Sequence, residues 1–116
     1  MTITHPTAAE LVSGIAGWLP LDGSASGFAL RVTRNALEIA SRDMTLGPPA
    51  DARAAERMHA LGLDGTDRDA LDRALVEAIR SGAIQPDDPR LVAHLKACAL
   101  DTIAIDQPKY AHELTP

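Results

Sequence analysis

His94, Cys98 and Asp101 lie four and seven residues apart, a spacing that puts them on one face of a helix. Those residue types hold zinc, and a cysteine beside a histidine is also the pairing of an activated thiol with its base. One helix face offers only adjacent ligands, however, and no CxxC or HExxH accompanies them. The plainer reading is a boundary histidine, a thiol within a core stripe and a surface carboxylate. His5, His59 and His112 fall in an end, a helix edge and a tail and are expected to face solvent. Asp64-Gly65-Thr66-Asp67 begins like a calcium loop but lacks the later glutamate, so it reads as a turn followed by an N-cap. Asp87-Asp88 is explained by capping and the helix dipole. No GxxxxGK[ST] or GxGxxG loop is present. The sequence therefore assigns no catalytic residue, no metal ligand and no cofactor, and the expectation is a protein that is not an enzyme by itself.

The residues with most to offer lie between Phe28 and Leu46. On a helical wheel Phe28, Val32, Asn35, Ile39 and Leu46 fall together, and Leu30, Leu37 and Met44 fall on the far side. Arg31, Arg34, Glu38 and Arg42 occupy the gap. A helix built this way either sits at the centre of its own bundle or offers one side to a partner. Asn35 lies within an apolar row, where a buried amide needs partners or costs about 1–3 kcal/mol. With Arg31 one turn back it reads as a structural hydrogen-bonding pair, or as a polar spot for a ligand phosphate or a partner carboxylate. Arg34, Glu38 and Arg42 are spaced for ion pairs on a solvated face. The candidate contact residues are Leu30, Arg31, Arg34, Asn35, Leu37, Met44 and, in the tail, Tyr110.

These residues sit in a chain of 116 residues, 46% of them apolar and only 3% aromatic. That length suits one domain, residues 1–116, with a core of aliphatic side chains that favours helix packing over a sheet. The net charge of −5 and the single Phe, Trp and Tyr give neither a basic stripe nor a stacking platform for nucleic acid. Cys98 is the only cysteine, which excludes an intrachain disulfide. No secretion signal is evident, and no apolar run approaches the ~20 residues of a membrane span. The expectation is a cytoplasmic protein without membrane or nucleic-acid partners, in which homo-oligomerisation through the Leu30–Met44 face is as compatible with the pattern as hetero-association.

Punctuation predicts an all-α fold, a compact bundle of about five helices with a long two-sided second helix. The first runs from about Thr7 to Leu19, opened by a Thr7–Glu10 capping box, with Gly14 and Gly17 allowing close approach of a neighbour. The second ends at Gly47-Pro48-Pro49, and the third runs from there to Gly62 with Ala54, Ala55, Met58 and Leu61 inward. The fourth runs from Thr66 or Asp67 to Ser81, with Leu71, Leu75, Ala78 and Ile79 inward and Gly82 as C-cap. The fifth runs from Asp87 or Asp88 to about Asp106, with Leu91, Leu95, Cys98, Ala99 and Thr102 as its stripe, widened by Val92 and Ile103.

Several short blocks carry a resemblance: Ala9-Glu10-Leu11-Val12, Arg31-Val32, Asn35-Ala36-Leu37, Leu46-Gly47-Pro48, Leu75 to Ile79, His94-Leu95-Lys96, and Asp106-Gln107-Pro108-Lys109-Tyr110. In these the chain resembles a bacterial family of small helical proteins labelled as a domain of unknown function. Gln107 stands where that family more usually has Asn. Its genes commonly lie beside aminoglycoside-phosphotransferase-like kinases and acyl-CoA dehydrogenases. The resemblance implies a non-catalytic accessory subunit of such a kinase, acting on hydroxyacyl-CoA in hydroxy-acid catabolism. The alternative is a stand-alone helical bundle that binds acyl-CoA or another anionic ligand.

Overall fold

Gly47-Pro48-Pro49 does not end a helix. In the computed structural model, which describes residues 6–110, the expected second and third helices are one continuous element. The helices are α1 (Ala8–Trp18), α2 (Gly27–Ala60), α3 (Arg68–Ser81) and α4 (Pro89–Asp106), followed by a short helical turn at 108–110, and there is no strand among the described residues. α2 has 34 residues with both prolines inside it. Each proline withholds a backbone donor from the preceding turn, at about 3 kcal/mol in a helix interior. Two features let the helix pass. Gly47 lacks the Cβ that would collide with the ring of Pro48 in helical backbone. Pro48, Pro49 and the residues one turn back, Met44 and Thr45, are on the exposed side, while Gly47 and Ala50 are buried on the other. Packing on that inner side holds the two halves in line.

The inner side is neither of the apolar rows read from the sequence. It is a third face, composed of Ala29, Thr33, Ala36, Ala40, Asp43, Gly47, Ala50 and Ala54, and continued by Met58. These positions alternate steps of four and three residues, a heptad seam of small side chains. A seam this narrow brings neighbouring backbones close, and α1, α3 and α4 each pack against α2. α1 runs antiparallel to α2, with Trp18 beside Phe28 at one end and Thr7 beside Asp43 at the other. α4 runs antiparallel along the second half. Arg42 Nε donates to the Ile105 carbonyl at 2.7 Å, Arg53 pairs with Asp101 at 3.2 Å, and Arg57 reaches His94. α1 and α4 thus lie in tandem along one spine.

The core occupies only the second half. Ala54, Met58, Leu71, Leu75, Ile84 and Leu91 form it, with Ala55, Leu61, Ala78 and Ile79 packed around them, as the sequence spacing of α3 and of the end of α2 indicated. In α4 the buried face is Leu91, His94 and Ile105, with Cys98 and Asp101 partly covered. Leu95, Ala99, Thr102 and Val92 are exposed, so the expected stripe is rotated. The cause is the arginines of α2, which draw the polar His94 and Asp101 inward. Caps agree with their sequence signals. Thr7 Oγ1 accepts from the Glu10 amide at 3.1 Å, Asp67 Oδ1 accepts from the Ala70 amide at 2.8 Å, and Gly82 closes α3 at φ 82°. Gly14 and Gly17 face open space rather than a close neighbour.

The seam gives a direct test. Ala54→Leu adds bulk where Ala54 is wholly buried and is expected to cost about 1–3 kcal/mol in urea unfolding. Ala52→Leu, on the exposed side of the same turn, is expected to stay within about 0.5 kcal/mol of the parent.

Candidate interaction surface

Two groups of side chains stand out, a polar cluster between α2, α3 and α4 and an apolar surface on α1 and the first half of α2. The cluster gathers the residues that suggested chemistry. His94 is 2% exposed, buried rather than at a boundary. Arg57 Nε donates to His94 Nδ1 at 3.0 Å. Arg57 Nη2 and Arg68 Nη2 both approach Cys98 Sγ, at 3.6 and 3.5 Å, and His94 Nε2 lies 3.5 Å from the same sulfur. A guanidinium only donates, so Nδ1 must accept, and a neutral imidazole then carries its proton on Nε2. The nitrogen nearest the thiol therefore has no lone pair with which to take a proton. That arrangement cannot run the cysteine–histidine chemistry that the spacing suggested. Arg68 also pairs with Asp51 at 3.0 Å and Asp72 at 3.1 Å, and Asp101 is held by Arg53. Among the described residues no three His, Cys, Asp or Glu side chains are grouped to hold a metal ion. The cluster joins three helices. Arg53 and Arg68 are paired with carboxylates, while Arg57 spends its donors on the imidazole and the sulfur.

The second group is the arm formed by α1 and α2 up to Gly47. α1 buries no residue. Trp18 is 47% exposed, Phe28 70%, Val32 53%, Leu37 44% and Met44 59%, with Leu30 and Leu46 also open. Both apolar rows of the two-sided helix therefore stay half uncovered, and the small-residue seam between them takes α1. Beside α1, a cleft of about 450 Å³ is lined chiefly by Leu11, Ile15, Trp18, Phe28 and Val32. Contiguous exposed apolar surface of this kind is what contact sites are commonly built from. Asn35 is exposed, so its amide faces water and needs no buried partner, because the row it shares is itself uncovered. Arg31 is exposed too. Arg34 pairs with Glu38 at 3.2 Å on the surface, an interaction worth about 0.2–0.5 kcal/mol. Arg42 leaves that strip to cap α4 at Ile105. His59 is exposed, with Nε2 3.0 Å from the Gly65 carbonyl, while His5 and His112 lie outside the described residues. Tyr110 is 57% exposed beyond α4. The structure thus places Leu30, Arg31, Arg34, Asn35, Leu37 and Met44 along the outside of one arm, with Tyr110 in the segment that follows α4.

What the sequence reading missed is the seam, Asp43 within it, and Arg57 as the partner of His94. The seam was signalled by small residues alternating at four and three. A wheel scored for large apolar side chains passes over them.

No helix among the described residues is long and apolar enough to cross a membrane. The fold and its surfaces define a small all-α protein built on one long helical spine. Residues 21–110 match the family described as Domain of unknown function (DUF6285), and the chain belongs to that family. The match begins after α1, so Ala9-Glu10-Leu11-Val12 lies outside it. No curated protein and no solved structure matches the chain significantly.

The histidine gives a pH test. Burial, and then the charges of Arg57 and Arg68, hold His94 below the usual histidine value. The unfolded chain takes up this proton near pH 6.5, whereas the folded chain resists it. The contribution to stability is therefore complete above about pH 6.5 and is lost as pH falls through the lower folded value. Urea midpoints measured from about pH 7 down to 5 are expected to decline, and to decline less steeply in His94→Gln.

Proposed function

We propose that this chain is a non-catalytic cytoplasmic subunit that docks onto a larger protein through its α1–α2 arm. The observation that carries this reading is the half-exposed pair of apolar rows on a helix whose own partner, α1, buries nothing. Two helices that leave Trp18, Phe28, Leu37 and Met44 open gain little from folding alone. Covering such side chains on association is worth about 25 cal/mol per Å² of apolar area before the costs of binding. The polar cluster supports the non-catalytic part, since its one imidazole beside a thiol is spent on an arginine. The partner this reading takes is the one implied by the family resemblance, an aminoglycoside-phosphotransferase-like kinase that phosphorylates the hydroxyl of a hydroxyacyl-CoA. The ATP site and catalytic carboxylates would then belong to the large chain.

The test is reconstitution. Co-expressed with the kinase encoded beside it, the chain is expected to co-purify, and the kinase without it to lose most of its activity on hydroxyacyl-CoA. Leu37→Glu is expected to weaken the complex by about 2 kcal/mol or more, as for a central contact, while leaving the thermal unfolding of the isolated chain within a few degrees. A kinase that works at full rate alone removes the proposal. CoA esters added to the isolated chain are expected to give no thermal shift; a clear one would favour direct acyl-CoA binding.

A further inference from the structure

On the side of α2 away from Leu37, Phe28, Val32, Asn35 and Ile39 follow one another in steps of four, three and four, the spacing of a seam against a second helix. The next position of that seam is Arg42, which turns aside to the Ile105 carbonyl at 2.7 Å. Asn35 is midway between Phe28 and Arg42. Phe28, Val32 and Asn35 are exposed and Ile39 is half-buried. Two charged residues border this stretch, Arg31 four residues before Asn35 and Glu38 three residues after it. Arg31 makes no ion pair among the described residues, and Glu38 has only its surface pair with Arg34.

An apolar cover over this row would strip water from the Asn35 amide and leave it unpaired, which is costly. A primary amide both donates and accepts, so another amide is its complement, and a second copy of the chain carries one at the same place. An antiparallel copy related by a twofold axis at Asn35 sets residues that precede Asn35 against those that follow it. Val32 then meets Ile39 of the second copy, and Arg31 meets its Glu38, each within about one residue of the same level. Both contacts occur twice, once on each side of the axis. A parallel copy would instead set Arg31 against Arg31 and Glu38 against Glu38. We infer that the row from Phe28 to Ile39 is a self-association surface, on which a second copy lies antiparallel with the two Asn35 amides paired across the axis. A single polar residue in an apolar seam is a known device for fixing register and partner number. The docked protein of the reading above keeps the opposite row, Leu30, Leu37 and Met44, so the two contacts do not compete.

The test is the mass of the full chain in solution, by sedimentation from about 1 to 300 μM. By helix dimensions the face covers roughly 900 Å² in a pair, the low end for a specific interface, so a dimer with a dissociation constant on the order of 10 μM is expected. Asn35→Asp and Asn35→Lys each set like charges against each other at the axis. Each is expected to weaken the dimer at least about tenfold and to keep the helical circular dichroism, since Asn35 is exposed. Mixed in equal amounts, the two variants are expected to pair at least as tightly as the parent, which requires position 35 of one copy to meet position 35 of the other. Leu37→Glu is expected to leave the dimer intact. A monomer throughout the range, a dimer indifferent to charge at position 35, a mixture no tighter than its components, or a dimer lost in Leu37→Glu overturns the inference. A chain that dimerises without binding the kinase removes the docking proposal alone; a monomer that binds the kinase removes the twofold pairing alone.

Discussion

The structure depends on the narrowness of one helix face. Along Ala29, Ala36, Ala40, Gly47, Ala50 and Ala54, α2 offers side chains too small to fill space by themselves. Their value is proximity. Close backbones bring the stems and heads of longer side chains within reach of each other, and the dispersion contacts thereby gained are individually small and collectively large. The same narrowness lets α1 and α4 share a single spine in tandem. It also explains why a chain with few aromatics can still form a core around Met58, Leu71 and Leu91.

Polar groups divide the two halves of the spine. Three arginines of α2 face α4, and each has a partner: Arg42, just before the proline pair, takes a helix-end carbonyl, and in the second half Arg53 takes a carboxylate and Arg57 an imidazole and a sulfur. Such pairs fix register more than they add stability. In the first half the seam holds no such pairing among the described residues, and Asp43, at the boundary, has an oxygen with no donor among them. One half is finished by its own chain, while the other is left with apolar surface open.

Much of the fold was legible. Caps at Thr7, Asp67 and Gly82, and the stripe Leu71, Leu75, Ala78 and Ile79, follow from local chemistry and periodicity. The all-α class follows from the aliphatic composition. What failed to read through was tertiary. Gly47-Pro48-Pro49 carries every local signal of a stop, yet Gly47 removes the clash that would enforce it and packing on the far face outweighs the lost hydrogen bonds. The stripe of α4 was misplaced because apolar residues were assumed to point inward, whereas His94 is drawn in by an arginine distant in sequence. The two apolar rows of α2 were found, but the choice between a central helix and an exposed one depended on the small residues lying between them.

The proline pair has a mechanical consequence. Two successive rungs of the backbone ladder are absent midway along α2, on the side with no covering helix. Resistance to bending there rests on the packed inner face and on the Arg42–Ile105 bond that spans the joint. From Gly27 to Gly47 the lever is roughly 30 Å long at 1.5 Å per residue. A tilt of about 10° at the joint would carry its tip roughly 5 Å, the pitch of one helical turn.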